Sequence, residues 1–128
     1  MIMKTRFIDV EGYWGIIVVC DYDRNDKVEL EGIMDSFGMS RPSIRKAMDI
    51  LSHYNTGMTV SRDDVRMSAI FISKSTSPSE FYSTAIHEIR HTADAIINYY
   101  GADWGEDAAY TTGYITKMFV EEVGEPCK

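Results

Sequence analysis

The longest regular pattern in the chain lies between Ser77 and Gly101, where Ala85, Ile86, Ile89, Ala93, Ile96, Ile97 and Tyr100 recur at steps of three and four residues. That spacing sets apolar side chains along one stripe of a helix. Both ends are marked. Ser77 is suited to cap the helix, Pro78 fits the first turn because its missing amide is not needed there, and Glu80 stands where it closes a capping box. Gly101 is a natural stop. A helix over 78–100 is predicted. After a short loop, Asp103 with Glu106 repeats the capping-box signature, and Tyr110, Tyr114, Ile115, Met118 and Phe119 carry a second helical stripe toward Val123 and Gly124.

The first half of the chain mixes two periods. Residues 5–10 read as a short strand, Glu11-Gly12 as a turn, and 13–20 as the most apolar run, rich in β-branched residues and suited to a strand covered on both faces. Together they predict a hairpin. Residues 21–26 are a polar breaker whose aspartates lack the glycine and distal glutamate of a calcium loop. An amphipathic helix follows over 27–37, stopped by Gly38. Another begins at Pro42, with Ile44, Ala47, Met48, Ile50 and Leu51 inward, and ends near His53. Strands over 56–61 and 65–72, joined through Arg62, Asp63 and Asp64, make a second predicted hairpin. No repeat or low-complexity linker interrupts the chain. The whole reads as one α+β domain over 1–128, a small antiparallel or mixed sheet of about four strands packed on helices.

Composition narrows the partners. The chain has 128 residues, enough for one domain with its own core. Its formal net charge of −7 repels nucleic-acid backbones. Arg41, Arg45 and Lys46 form the one small basic cluster and read as a solvated helix face, so no nucleic-acid partner is expected. No apolar run is long enough to cross a membrane. The first residues lack the long apolar core and cleavage site of a secretory signal, so a cytoplasmic location is expected. Cys20 lies in the apolar run and reads as a small core residue, while Cys127 belongs to a polar tail. The two have neither metal-ligand nor redox spacing, and no disulfide between them is expected.

The chemistry-bearing stretch is His87-Glu88-Ile89-Arg90-His91, an H-E-x-x-H sequence inside the longest predicted helix. Residues four apart share a helix face, so the two imidazoles can aim at one point, where a zinc ion would take a nitrogen from each. Glu88 is offset by about 100° of helix rotation and flanks that point, where its carboxylate can take a proton from metal-bound water. A catalytic zinc needs a third protein ligand and an open fourth position. The second helix packs roughly antiparallel to the first across a short loop, which would angle its start back toward His91. Glu106 is the chosen third ligand. Asp103 and Asp107 compete with it, because periodicity does not fix rotation to within one residue, and a plain capping duty for Glu106 competes as well.

Several segments resemble, in order, the zincin metallopeptidases of gluzincin-like arrangement, and more narrowly the small H-E-x-x-H proteins of Bacteroides-type gut bacteria, their phages and mobile elements. They are 55–60 (NTGMTV), 66–72 (RMSAIFI), 77–82 (SPSEFY), 87–91 (HEIRH) and 105–115 (GEDAAYTTGYI). The likeness covers roughly the second half. It implies His87 and His91 as metal ligands, Glu88 as general base and Glu106 as third ligand, on a zincin-like active-site helix followed by a C-terminal helix.

The expected function is therefore zinc-dependent hydrolysis of a peptide or protein substrate by Glu88-assisted attack of metal-bound water. Tyr110, one turn beyond Glu106, would offer a hydroxyl to the oxyanion, with interhelix packing as its competing role. Asp94, one turn beyond His91, would orient a ligand imidazole, and Arg90 would point away to pair with a surface acid. The alternative is a non-catalytic zinc-binding module, or an inactive zincin-fold interaction module of a mobile element, with Asp103, Asp107 or His53 able to close the fourth position. Because the strand over 65–72 feeds the histidine helix, its edge is expected to be open to an extended peptide.

Overall fold

A computed structural model of the chain describes residues 3–124, so Cys127 lies outside the described residues. Four strands form one mixed sheet in the order β1-β2-β4-β3: β1 (Lys4–Val10), β2 (Trp14–Cys20), β3 (Gly57–Arg62) and β4 (Met67–Ile72). Both predicted hairpins are present as antiparallel pairs. The first turns through Glu11 and Gly12, whose positive φ values of 50° and 80° match the turns that favour glycine. The hairpins are then joined side by side. Gly15–Val19 of β2 runs parallel to Met67–Phe71 of β4. Parallel strands need a long crossover. Here it is built from a 3-10 turn (Arg24–Asp26), α1 (Lys27–Ser36), α2 (Arg41–Leu51) and β3.

This pairing corrects the expected peptide edge. β4 lies in the interior of the sheet between β2 and β3, and Ser68 to Ile72 are all buried. The strand on the outside is β3, each of whose residues is half-buried.

Helices cover both faces of the sheet. The period of two along β4 sends Ile70 and Ile72 to one face and Ala69 and Phe71 to the other. On the first face, Ile8, Ile16, Val18, Ile70 and Ile72 meet Phe81, Ala85, Ile89 and Ile96 of α3 (Pro78–Tyr100) and Phe119 of α4 (Glu106–Glu122). On the second, Val19, Ala69 and Phe71 meet Leu30 and Met34 of α1 and Ile44, Ala47 and Leu51 of α2. Arg41, Arg45 and Lys46 are exposed on α2. Among the described residues no helix is long and apolar enough to cross a membrane.

The end signals of α3 operate as their chemistry dictates. The Ser77 hydroxyl accepts from the Glu80 amide at 3.1 Å, and Gly101 closes the helix in the left-handed region at φ 65°. At α4 the Asp103 carboxylate accepts from the Glu106 amide at 2.9 Å. The inward face of α3 is rotated from the expected stripe. Ile86 and Tyr100 are exposed, while Thr84, Glu88 and Thr92 are buried. Tyr100 instead packs edge-on against Tyr13 and donates its hydroxyl to the Tyr13 carbonyl at 3.2 Å.

Replacing Ser77 with Ala removes the acceptor for the Glu80 amide at the start of α3. The expected loss is about 1 kcal/mol, read as a melting temperature lowered by roughly 2–8 °C in a thermal scan followed by circular dichroism. An unchanged melting temperature would show that the cap adds nothing here.

Candidate functional site: the groove between β3 and α3

Gly57 sets how closely β3 approaches α3. A Cβ placed there would stand 2.8 Å from both Glu88 Cγ and Thr84 Cγ2, so a side chain would push the strand off the helix. Across this close contact Thr59 donates its hydroxyl to Glu88 Oε1 at 2.8 Å, and the same hydroxyl lies 3.2 Å from the Glu88 carbonyl. That carbonyl also accepts from the Thr92 hydroxyl at 3.2 Å. Glu88 is only 5 % exposed, so its carboxylate needs such a partner. Its other oxygen, Oε2, stands 4.0 Å from His87 Nε2, and Glu88 is among the residues that line the groove beside the histidines.

The two histidines meet as their spacing requires. His87 Nε2 and His91 Nε2 are 3.2 Å apart, one ring donating and the other accepting, with the rings edge to face at 4.8 Å between centroids. Both imidazoles are exposed. They form one wall of an open groove of about 500 Å³, opposite Gly57, Thr59 and Ser61 of β3, with Glu88 between.

The backbone of β3 completes the site. The Ser73 amide donates to the Thr56 carbonyl at 2.9 Å, which fixes the phase of the β3–β4 ladder. Hydrogen-bonded pairs alternate in an antiparallel ladder, so Met58, Val60 and Arg62 bond β4 while Gly57, Thr59 and Ser61 turn their amides and carbonyls outward. Among the described residues no other backbone group bonds these outward positions.

The remaining predicted site residues lie elsewhere. Among the described residues no group of three or more histidine, cysteine, aspartate or glutamate side chains is placed to hold a metal ion. The expected zinc site of His87, His91 and Glu106 is overturned. With it go the zinc-dependent metallopeptidase and the structural-zinc alternative. The physical reason is the course of α4, which packs against α3 and β1, whereas the histidines face β3 at the other edge of the sheet. Glu106 is an exposed residue of the α4 start, and Asp107 is tied to that same turn, accepting from the Asp103 amide at 2.9 Å. Tyr110 donates to Glu11 Oε1 at 2.5 Å, and this hydrogen bond to a carboxylate raises its pKa. It lines a different cavity, beside Tyr13 and Tyr100. Asp94 pairs with Arg90, at 2.7 Å between Oδ1 and Nε, and not with an imidazole. His53 is exposed beyond the end of α2.

Thr59 and Gly57 were not among the expected site residues. Two signals point to them: a glycine opening a strand, which marks close backbone approach, and Thr84, Glu88 and Thr92 at four-residue steps, a polar strip within a helix. No protein-family model, no curated protein and no solved structure matches the chain.

Two substitutions test the seam. Gly57→Ala should destabilise the fold by about 1–3 kcal/mol through overpacking against Glu88 and Thr84. Thr59→Val leaves the buried Glu88 carboxylate without its donor and should lose about 1–3 kcal/mol. Urea unfolding measures both, and wild-type midpoints in both variants would refute the proposed packing.

Proposed function

We propose that this domain binds an extended, basic segment of a protein partner, added as a further strand along β3. The observation that carries this reading is the row of outward backbone groups at Gly57, Thr59 and Ser61, set beside a groove with a carboxylate in it. An extended peptide added to a sheet edge gains affinity from main-chain hydrogen bonds and specificity from pockets that take alternate side chains. Glu88 Oε2 offers the groove an acceptor that suits a lysine or arginine of the added segment. The net charge of −7 favours the approach of a basic partner over an acidic one. The exposed imidazoles of His87 and His91 supply a polar wall rich in nitrogen, and the small side chains of Gly57, Thr59 and Ser61 keep the strand side of the groove low. The zincin likeness of the His87–His91 segment is a likeness of motif, and the peptide-binding reading does not rest on it.

The test is an amide chemical-shift titration with a short acetylated peptide alternating valine and lysine, alongside a counterpart with glutamate in place of lysine. The lysine peptide should shift amides of 57–61 and 84–91 and should bind at least about tenfold more tightly than the glutamate peptide. Glu88→Gln should erase most of that preference. Ser61→Pro removes an outward amide while leaving the β4 ladder intact, and should weaken binding with the spectrum still dispersed. Equal binding of both peptides, or shifts confined to another surface, would refute the reading.

A further inference from the structure

At the far end of α3 from its N-terminus, three tyrosine rings surround a cavity of about 310 Å³ between the β1–β2 turn, α3 and the start of α4. Tyr13, Tyr100 and Tyr110 form its walls, Ile96 and Ile97 part of its floor, and Asp107 its acidic side. Tyr13 and Tyr100 stand at 89° to each other with centroids 5.5 Å apart. The two rings meet edge to face, and Tyr110 lines the same cavity.

Two of the three hydroxyls are tied outside the ring faces. Tyr100 donates to the Tyr13 carbonyl and Tyr110 donates to Glu11. Ring contacts hold them as well: Tyr100 packs edge to face with Tyr13 and Tyr99, and Tyr110 stacks on Tyr114, which leaves Tyr110 its opposite face. Tyr100 and Tyr110 are still 47 % and 59 % exposed, so part of each ring remains accessible to a ligand. Apolar side chains and water-exposed rings alone would suit any greasy group. The carboxylates decide the sign of the ligand. Asp107 lines the cavity, Glu11 sits on the Tyr110 hydroxyl, and no lysine or arginine is among the lining residues.

We propose that this cavity is an aromatic cage for a trimethylammonium group. The electron-rich faces of tyrosine attract a cation, and a methylated ammonium is bulky, weakly hydrated and unable to donate hydrogen bonds. It therefore suits walls of ring faces better than a lysine ammonium, which would have to give up its hydration. Asp107 and Glu11 add charge attraction at a distance without needing a hydrogen bond. The same headgroup occurs on a free small molecule such as choline and on a trimethylated lysine of a protein. The site shares no residue with the β3 groove, so it stands or falls independently of the peptide-binding reading.

The test uses the whole chain and follows amide shifts on adding choline, its neutral isostere 3,3-dimethylbutan-1-ol, a trimethyllysine peptide and the same peptide unmodified. Choline should bind with a millimolar or tighter dissociation constant and shift amides of residues 13, 100 and 107–111. The neutral isostere should bind at least about tenfold more weakly. Tyr100→Leu and Tyr110→Leu should each weaken choline roughly 2- to 30-fold, and Tyr110→Phe, which keeps the ring and loses only the bond to Glu11, should stay within a few-fold of wild type. If the trimethyllysine peptide outbinds both choline and the unmodified peptide, the headgroup is presented by a protein. If choline binds at least as well, the ligand is a free small molecule. No shifts with either cation up to about 20 mM, or equal binding of the neutral isostere, would overturn the proposal.

Discussion

The hydrogen bond from Thr59 to the buried Glu88 carboxylate holds the site face of the molecule in register. It lies where an edge strand meets a long helix, and it is possible only because Gly57 has no side chain. A charged group this deeply buried is strongly unfavourable without a partner, so helix and strand are tied at one particular height. Shift α3 by a turn along β3 and the carboxylate loses its donor while Thr84 or Thr92 replaces it against the strand. The apolar contacts of Ala85, Ile89 and Ala93 could slide with less penalty, because hydrophobic burial is not directional. The polar seam thus specifies what the core alone leaves loose. Glu88 also lines the groove, so the residue that fixes the packing is the one that brings a carboxylate to it.

Much of the fold was legible wherever a local rule was enough. The ends of α3 were read at Pro78 and Tyr100, because Ser77, Pro78 and Gly101 act through backbone chemistry within a few residues. The two hairpins were readable for the same reason. The rotation of α3 was not. Ile86 and Glu88 lie two residues apart, and a stripe counted by hydrophobicity favours the isoleucine, yet Ile86 is exposed and Glu88 buried. Only the facing strand, with Gly57 and Thr59, makes a buried glutamate favourable. The parallel pairing of β2 with β4 has no local mark either. It joins segments some fifty residues apart, and the turn residues of each hairpin say nothing about which outer strand ends up inside the sheet.

The metal reading failed at the same boundary between local and tertiary information. Four-residue spacing brings His87 and His91 together in any helix, and the structure places their Nε2 atoms 3.2 Å apart. A third ligand from another helix depends on how that helix crosses the sheet. A short α3–α4 connection guarantees contact between the two helices, which is present, but it leaves open which edge of the sheet the second helix covers. Here α4 covers β1. Its end is fastened there too, since Lys4 donates its ammonium to the Val123 carbonyl at 2.6 Å. The acidic start of α4 therefore belongs to the tyrosine-lined cavity through Asp107, and the histidines are left to β3.

The two edges of the sheet are treated differently, and the difference bears on which one takes a partner. β1 carries Lys4, Arg6 and Asp9, and Lys4 is drawn to the end of α4. Charged residues and a covering element are the usual ways to keep a strand edge from pairing. β3 carries no charged side chain along its central residues, although α3 packs against it through Thr59 and Glu88. Its groove-facing positions are glycine, threonine and serine, and its one charged residue, Arg62, stands at the end paired with Asp64. An edge left with small side chains would be an aggregation hazard if it were also apolar. The exposed imidazoles of His87 and His91 beside the strand make the groove polar. Under the proposed reading, the charges along β1 and their absence from the centre of β3 would leave β3 as the edge that takes a strand from outside.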